Sequence, residues 1–194
     1  MKHIYLFSLC LILLSLNQLY SRISENIHNL PNALKFEDMS EIMPASAIFC
    51  FYQDHQGFLW YGSSGDGLVR FDGLQYKIYS QIKSQIRDIV EHKTDQGAIF
   101  WIAAYGEGLY KFNPQQETFR HYCHDPSDPA SLSCDRTRKL YIHNDGSLWI
   151  GTMRGGINIL RPDQMNRNNP EFIHVRHDSA NHKSLSNDEI KALY

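Results

Sequence analysis

The chain has 194 residues, 42% of them hydrophobic and 12% aromatic, with a formal net charge of −2. That apolar content is enough for a packed core and excludes a disordered chain. The 19 basic residues are scattered among 21 acids with no basic stripe, which excludes a nucleic-acid-binding surface in this segment.

The first element is a leader. Lys2 and His3 precede an apolar run from Ile4 to Leu16, and polar residues follow at Asn17, Gln18, Ser21 and Arg22. A short basic start followed by a run of this length reads as an export signal over residues 1–20. It falls short of the roughly 20 residues a membrane span needs; an uncleaved anchor and a buried strand or helix are the alternatives. No A-x-A cleavage pattern is present, and Leu9 before Cys10 is too large for lipoprotein processing. Residues 21–45 then form a lead-in segment.

From residue 46 the chain repeats. GFLWYGSSGDGLVRFDG (57–73), AIFWIAAYGEGLYKFNP (98–114) and GSLWIGTMRGGINILRP (146–162) align on Trp60, Trp101 and Trp149. Seven residues after each Trp stands a glycine (Gly67, Gly108, Gly156), then Leu68, Leu109 or Ile157. Eleven after each Trp stands Phe71, Phe112 or Leu160. A second repeat joins these units: HDPSDPASLS (124–133) matches HDSANHKSLS (177–186) without a gap. QYKIY (75–79), TFRHY (118–122) and EFIHV (171–175) occupy the place before each connector.

One unit reads as four short strands. In the first, SAIFCFYQD (46–54), FLWYGS (58–63), LVRFD (68–72) and LQYKIYS (74–80) are separated by Gly and Asp turns. Parity alone leaves the faces of LVRFD ambiguous. QIKSQIRDIVEHK (81–93) is the nearest approach to a helical pattern; it aligns as a link followed by the first strand of the second unit. Four-stranded units recurring every 40–50 residues predict all-β propeller blades. The boundaries are about 46–83, 84–132 and 133–185, with the start of a fourth at 186–194. Each Trp is expected to pack between neighbouring sheets. The glycine seven after it, with Gly65, Gly106 and Gly155, is expected to supply positive φ in the second turn. SLSNDEIKALY (184–194) repeats SLSCDRTRKLY (131–141), so Tyr194 falls where Tyr141 does. Closed propellers have about 4–8 blades, so the expectation is an incomplete ring, the N-terminal piece of a longer protein.

DHQGFLWYGSSGDGLVRFDG, NDGSLWIGTMRGGINIL and the two connectors resemble the two-component regulator propeller repeat, over residues 46–194. Unit two departs from the pattern: Trp101 is followed by Ile-Ala-Ala where Gly-Thr is usual. The resemblance implies the exported sensor region of a hybrid two-component histidine kinase. It implies a ligand, often derived from polysaccharide, bound outside the inner membrane, and a homodimer when full-length. Kinase, receiver and DNA-binding parts would lie elsewhere.

No residue is singled out as catalytic, cofactor-binding or metal-ligating, and the ligand-binding residues are left open. His121 and His124, and His174 and His177, invite a metal reading, but they are repeat positions without further ligands at suitable spacing. Asp54, Asp66, Asp72, Asp95 and Asp145 read as turn residues; no two are marked as a catalytic pair. Tyr61, Tyr105 and Tyr122 can stack on sugars or serve as core. Cys123 and Cys134 flank a connector, and whether they pair is open. The leading reading is a binding segment of a sensor. The alternatives are a secreted glycan-binding or scaffold propeller without a kinase and, further off, a propeller enzyme. An open array leaves an apolar blade face uncovered. Residues 21–194 expressed alone are therefore expected to be poorly soluble; a soluble monomer with one sharp thermal transition would refute this.

Overall fold

The computed structural model describes residues 47–94 and 97–194. Both the leader and the lead-in segment lie outside the described residues. Twelve strands form three four-stranded antiparallel sheets, each ordered as the chain runs. The first holds β1 (Ile48–Gln53), β2 (Leu59–Ser63), β3 (Leu68–Phe71) and β4 (Tyr76–Tyr79). The second holds β5 (Gln85–Thr94), β6 (Gly97–Tyr105), β7 (Gly108–Asn113) and β8 (Thr118–Tyr122). The third holds β9 (Thr137–Ile142), β10 (Leu148–Thr152), β11 (Ile157–Leu160) and β12 (Phe172–Val175). One 3-10 turn, Pro162–Gln164, lies between β11 and β12; the strand pattern gave no sign of it.

The sheets stack as blades. β1 packs on β5 and β5 on β9, so the first strands gather on one side. Each first strand carries a bulge at the same place: between Ile48 and Cys50, between Ile86 and Asp88, and opposite Gly151 and Thr152 in β9. An extra residue at a fixed point bends the strand and strengthens its twist.

The core lies between blades. Trp60 is 1% exposed and meets Phe100 and Phe112 of the second blade, with ring centroids 4.7 and 5.8 Å away. Trp101 is fully buried in a cluster with Leu140, Leu148 and Ile150 of the third blade. Burying a side chain of this size contributes about 4–6 kcal/mol by area. Trp149 is only partly buried and stacks on His143 of its own blade, 5.3 Å between centroids. The register also settles the parity of LVRFD. Leu68 packs in the core against blade two and Arg70 lines the same seam; Val69 and Phe71 lie on the other face.

Close approach explains the small residues after each Trp. A side chain at Gly62 would overlap Ile86 of the next blade. One at Gly151 would come within 2.6 Å of Ile190, whose backbone N–H donates to Thr152 O at 2.9 Å. Each of these isoleucines leads a new unit. In blade two the pair is Ala103 and, at the repeat position of the isoleucines, Thr137. Gly67, Gly108 and Gly156 all have positive φ. A Cβ at any of them would strike the backbone carbonyl that ends the fourth strand, at Tyr79, Tyr122 or Val175. Gly65 and Gly106 have positive φ as expected, but Gly155 is not among the positive-φ glycines. It is small because a side chain there would overlap Ser133 Oγ and crowd Cys134.

The departure in blade two has a physical compensation. In blades one and three, the hydroxyl three residues after Trp donates to the turn glycine's carbonyl: Ser63 to Gly67 at 3.3 Å, Thr152 to Gly156 at 2.9 Å. Blade two has Ala104 there. Its Gly108 carbonyl is served instead by Thr137 Oγ1 of the next blade, at 2.6 Å. Thr137→Val should therefore cost about 1–2 kcal/mol. Ala104→Ser in the same chain should return part of it, by chemical denaturation. A neutral single variant, or a double variant no better than the single, would contradict this account.

Candidate functional site

The connectors are ordered backbone capsules. In the first, the His124 N–H donates to Asp135 Oδ1 at 2.6 Å, and His124 Nδ1 lies 2.7 Å from the Leu132 carbonyl. Ser131 and Asp125 bond each other twice. The second connector repeats every bond, with His177, Asp188, Leu185, Ser184 and Asp178. Asp135 and Asp188 also accept, through their carbonyls, from Gly108 N and Gly156 N, so each connector is tied to the turn of the blade it leaves. His121 and His174 lie against the carbonyls of Glu107 and Ser131. The paired histidines thus hold backbone, and among the described residues no group of three or more His, Cys, Asp or Glu is placed to hold a metal ion.

The aspartates hold turns. Asp54 accepts from the N–H groups of Gln56 and Phe58, both at 2.9 Å, and from Trp60 Nε1 at 2.7 Å. Asp72 accepts from Leu74 N and Gln75 N. Asp145 accepts from Ser147 N and Oγ, which with His143 hold its carboxyl down at about 2. Asp66 offers its own N–H to Ser63 Oγ. Asp95 lies outside the described residues. Tyr61 and Tyr122 are interior, 0% and 7% exposed, which removes them as sugar platforms. Tyr105 remains partly open, its hydroxyl 2.8 Å from Met153 Sδ and its ring beneath the Arg87 guanidinium. Cys123 and Cys134 are free thiols.

The concave surface lies along the two blade seams, at the end carrying the first and third turns. The seam between blades one and two encloses about 260 Å³, lined by Asp54, Trp60, Arg70 and Phe100 among others. Acids meet the His55 ring and Lys77 beside it. Glu91 of β5, its side chain 2% exposed, accepts from the Tyr52 hydroxyl at 3.2 Å and the His55 N–H at 3.1 Å, and meets the His55 ring. Burial and the Glu91 charge push the Tyr52 hydroxyl up to about 12. Lys77 pairs with Glu117, whose carboxyl it holds below the usual range. Arg70 lies over the Phe58 ring at 4.8 Å.

The seam between blades two and three is built to the same plan with different charges. A hollow of about 310 Å³ is walled by His92, Trp101, Lys111, Asn113, Gln115 and Met165 among others. It runs into a neighbour of about 330 Å³ that shares Lys111, Asn113, Gln116 and Asn166 and adds Arg120. Lys111 Nζ donates to the Met165 carbonyl at 2.8 Å and Asn166 Oδ1 at 2.9 Å. Arg120 Nη1 donates to the Arg167 carbonyl at 2.9 Å. Burial, then Arg120, lowers the Lys111 pKa; burial, then Lys111, lowers that of His92. Repeat alignment could have found this pair, because Lys111 and Arg70 both stand ten residues after a Trp. The partners could not be found so, because they come from a different blade.

Residues 42–65, which include β1, β2 and Trp60, match the two component regulator propeller family. The extracellular domain of a hybrid two component system from B. thetaiotaomicron superposes with a TM-score of 0.63 at 22% identity, over 80% of this chain and 21% of that one. A second such domain from the same organism gives 0.60 at 21%, over 79% and 20%. Both show the fold, and the chain spans about a fifth of either. Histidine kinase P4 of Formosa agariphila is 31% identical over 66 residues, 34% of this chain and 5% of that protein.

The Trp60 clamp yields a direct test. Asp54 is 8% exposed and accepts from three donors. Asp54→Ala should cost about 2–4 kcal/mol, since it leaves a buried indole N–H and two turn amides without an acceptor. Denaturant midpoints measure this, and a loss under about 0.5 kcal/mol would show that water replaces the carboxylate.

Proposed function

We propose that this chain is the N-terminal part of the extracytoplasmic propeller of a two-component sensor histidine kinase. It binds a ligand and performs no catalysis itself. The observation that carries the reading is the four-stranded, Trp-bearing blade repeated three times, its first copy matching the two component regulator propeller. The division into a signal over residues 1–20, a lead-in and blades from residue 46 belongs to the same reading, as does export to the periplasm. In the intact protein a small molecule or oligosaccharide would bind at loops on one face. Binding would shift the population of sensor states that the inner half reads. Ligand detection without turnover agrees with aspartates and histidines that are spent on backbone.

The reading frame past the Tyr194 codon is the first test. A fourth tryptophan should follow about 53 residues after Trp149, then further blades, an apolar stretch of about 20 residues and a histidine kinase. The intact protein in vesicles should then change its autophosphorylation rate when oligosaccharides are added. Further blades with neither membrane segment nor kinase would favour the secreted binding propeller. Turnover of polysaccharide at enzyme-like rates would overturn the binding reading.

A further inference from the structure

The two seams differ in one respect that the repeat does not require. Cross-strand cations recur: Arg70 faces Lys77 in blade one, and Lys111 faces Arg120 in blade two. The acid that answers Lys77 in the first pair does not recur. Glu117, which pairs Lys77, comes from the third turn of blade two. At the corresponding place in blade three, Lys111 and Arg120 meet the neutral oxygens of Met165, Asn166 and Arg167. Glu91, buried at the first seam, gives way to Ile142 at the same register in β9. Among the described residues, no acid lines either hollow of the second seam and neither cation has an ion pair. The indole tells the same story. Trp60 Nε1 donates to a carboxylate and Trp149 Nε1 to a hydroxyl, 3.0 Å away, while the buried Trp101 Nε1 has no acceptor among the described residues.

A half-buried cation such as Lys111 is costly without a counter-ion, and a lysine ammonium has three donors. Two of those on Lys111 are used. Asn113 Oδ1 is held by the N–H groups of Gln115 and Gln116, and its amide N–H₂ has no bond among the described residues. Amide side chains and Lys111 around about 310 Å³, beside the hollow that Arg120 lines, make a monosaccharide-sized space with no acid among its described lining residues. We infer that the seam between blades two and three binds a small carboxylate-bearing ligand, with Lys111 and Arg120 as its charge partners and the side-chain amides of Asn113, Gln115 and Gln116 along its wall. A uronic acid has the required size, carboxylate and hydroxyls. This site does not depend on the sensor reading, because binding at the seam needs no kinase.

The test uses the full chain and D-glucuronate, with D-glucose as the neutral control. Calorimetry and tryptophan fluorescence should both show saturable binding of glucuronate, and glucose should bind at least about tenfold more weakly. Lys111→Met should weaken glucuronate by about tenfold or more, and about 0.5 M salt should weaken it further. Should Lys111→Met fail to fold, the exposed Arg120→Gln carries the same test, with about a threefold loss expected. Equal affinity for the two sugars would overturn the proposal, as would no saturation by roughly 10 mM glucuronate. So would unchanged affinity in a folded Lys111→Met or Arg120→Gln. Asp95 stands six residues before Trp101, as Asp54 does before Trp60. Binding that emerges only in Asp95→Asn would mean that the chain supplies its own anion, and would also overturn it.

Discussion

Everything in this fold depends on one interaction, the burial of a blade's tryptophan against the sheet that follows. A single four-stranded meander has two faces and cannot cover either alone. Trp60 and Trp101 cover theirs because the next blade comes within van der Waals contact. That approach sets the rest of the repeat. The residue two after Trp must be tiny, since Ile86 and Ile190 stand where its side chain would be. The turn glycine must lack a Cβ because the fourth strand ends on it. Trp149 is partly buried and stacks on His143 of its own blade.

The same constraint accounts for what the repeat tolerates. Blade two puts alanine at the glycine position and loses the hydroxyl beside it. Thr137 takes the place of isoleucine and supplies a hydroxyl from across the seam. A substitution within one blade is thus answered by its neighbour. Neither residue can be understood from its own unit, because a solenoid-like array distributes each contact over two repeats.

Much of the fold was legible for this reason, and some was not. Strands and turns follow from local pattern, so the Trp hairpins, the connectors and the first strand hidden in residues 81–93 all emerge where periodicity and Gly or Asp turns place them. The expectation for Gly155 failed because local pattern reports turns and not neighbours. Its smallness answers Ser133 and Cys134 from an earlier connector. Tyr61 and Tyr122 were ambiguous in the sequence for a similar reason, since strand parity does not say which face another blade covers. The charges of the seams were the least legible. Glu91, Glu117 and Lys111 read as ordinary solvated residues until their cross-blade partners are known.

A repeat protein holds its architecture through positions that recur, so residues that fail to recur are where individual blades are free to differ. The tryptophans, turn glycines and connector histidines all recur, and each holds backbone or core. Glu117, which answers Lys77 in the first seam, has no counterpart among the described residues of the second, although the cross-strand cations recur. Loss of an acid from a seam is harmful if the remaining cations stay dry and unanswered, because desolvation then has no compensation. It is harmless if the seam stays open to solvent, and useful if an outside anion enters. The second seam is open enough to hold a small molecule and closed enough to lower the pKa of Lys111. Specificity of this kind needs no change in the blade framework, only in the side chains that face across it.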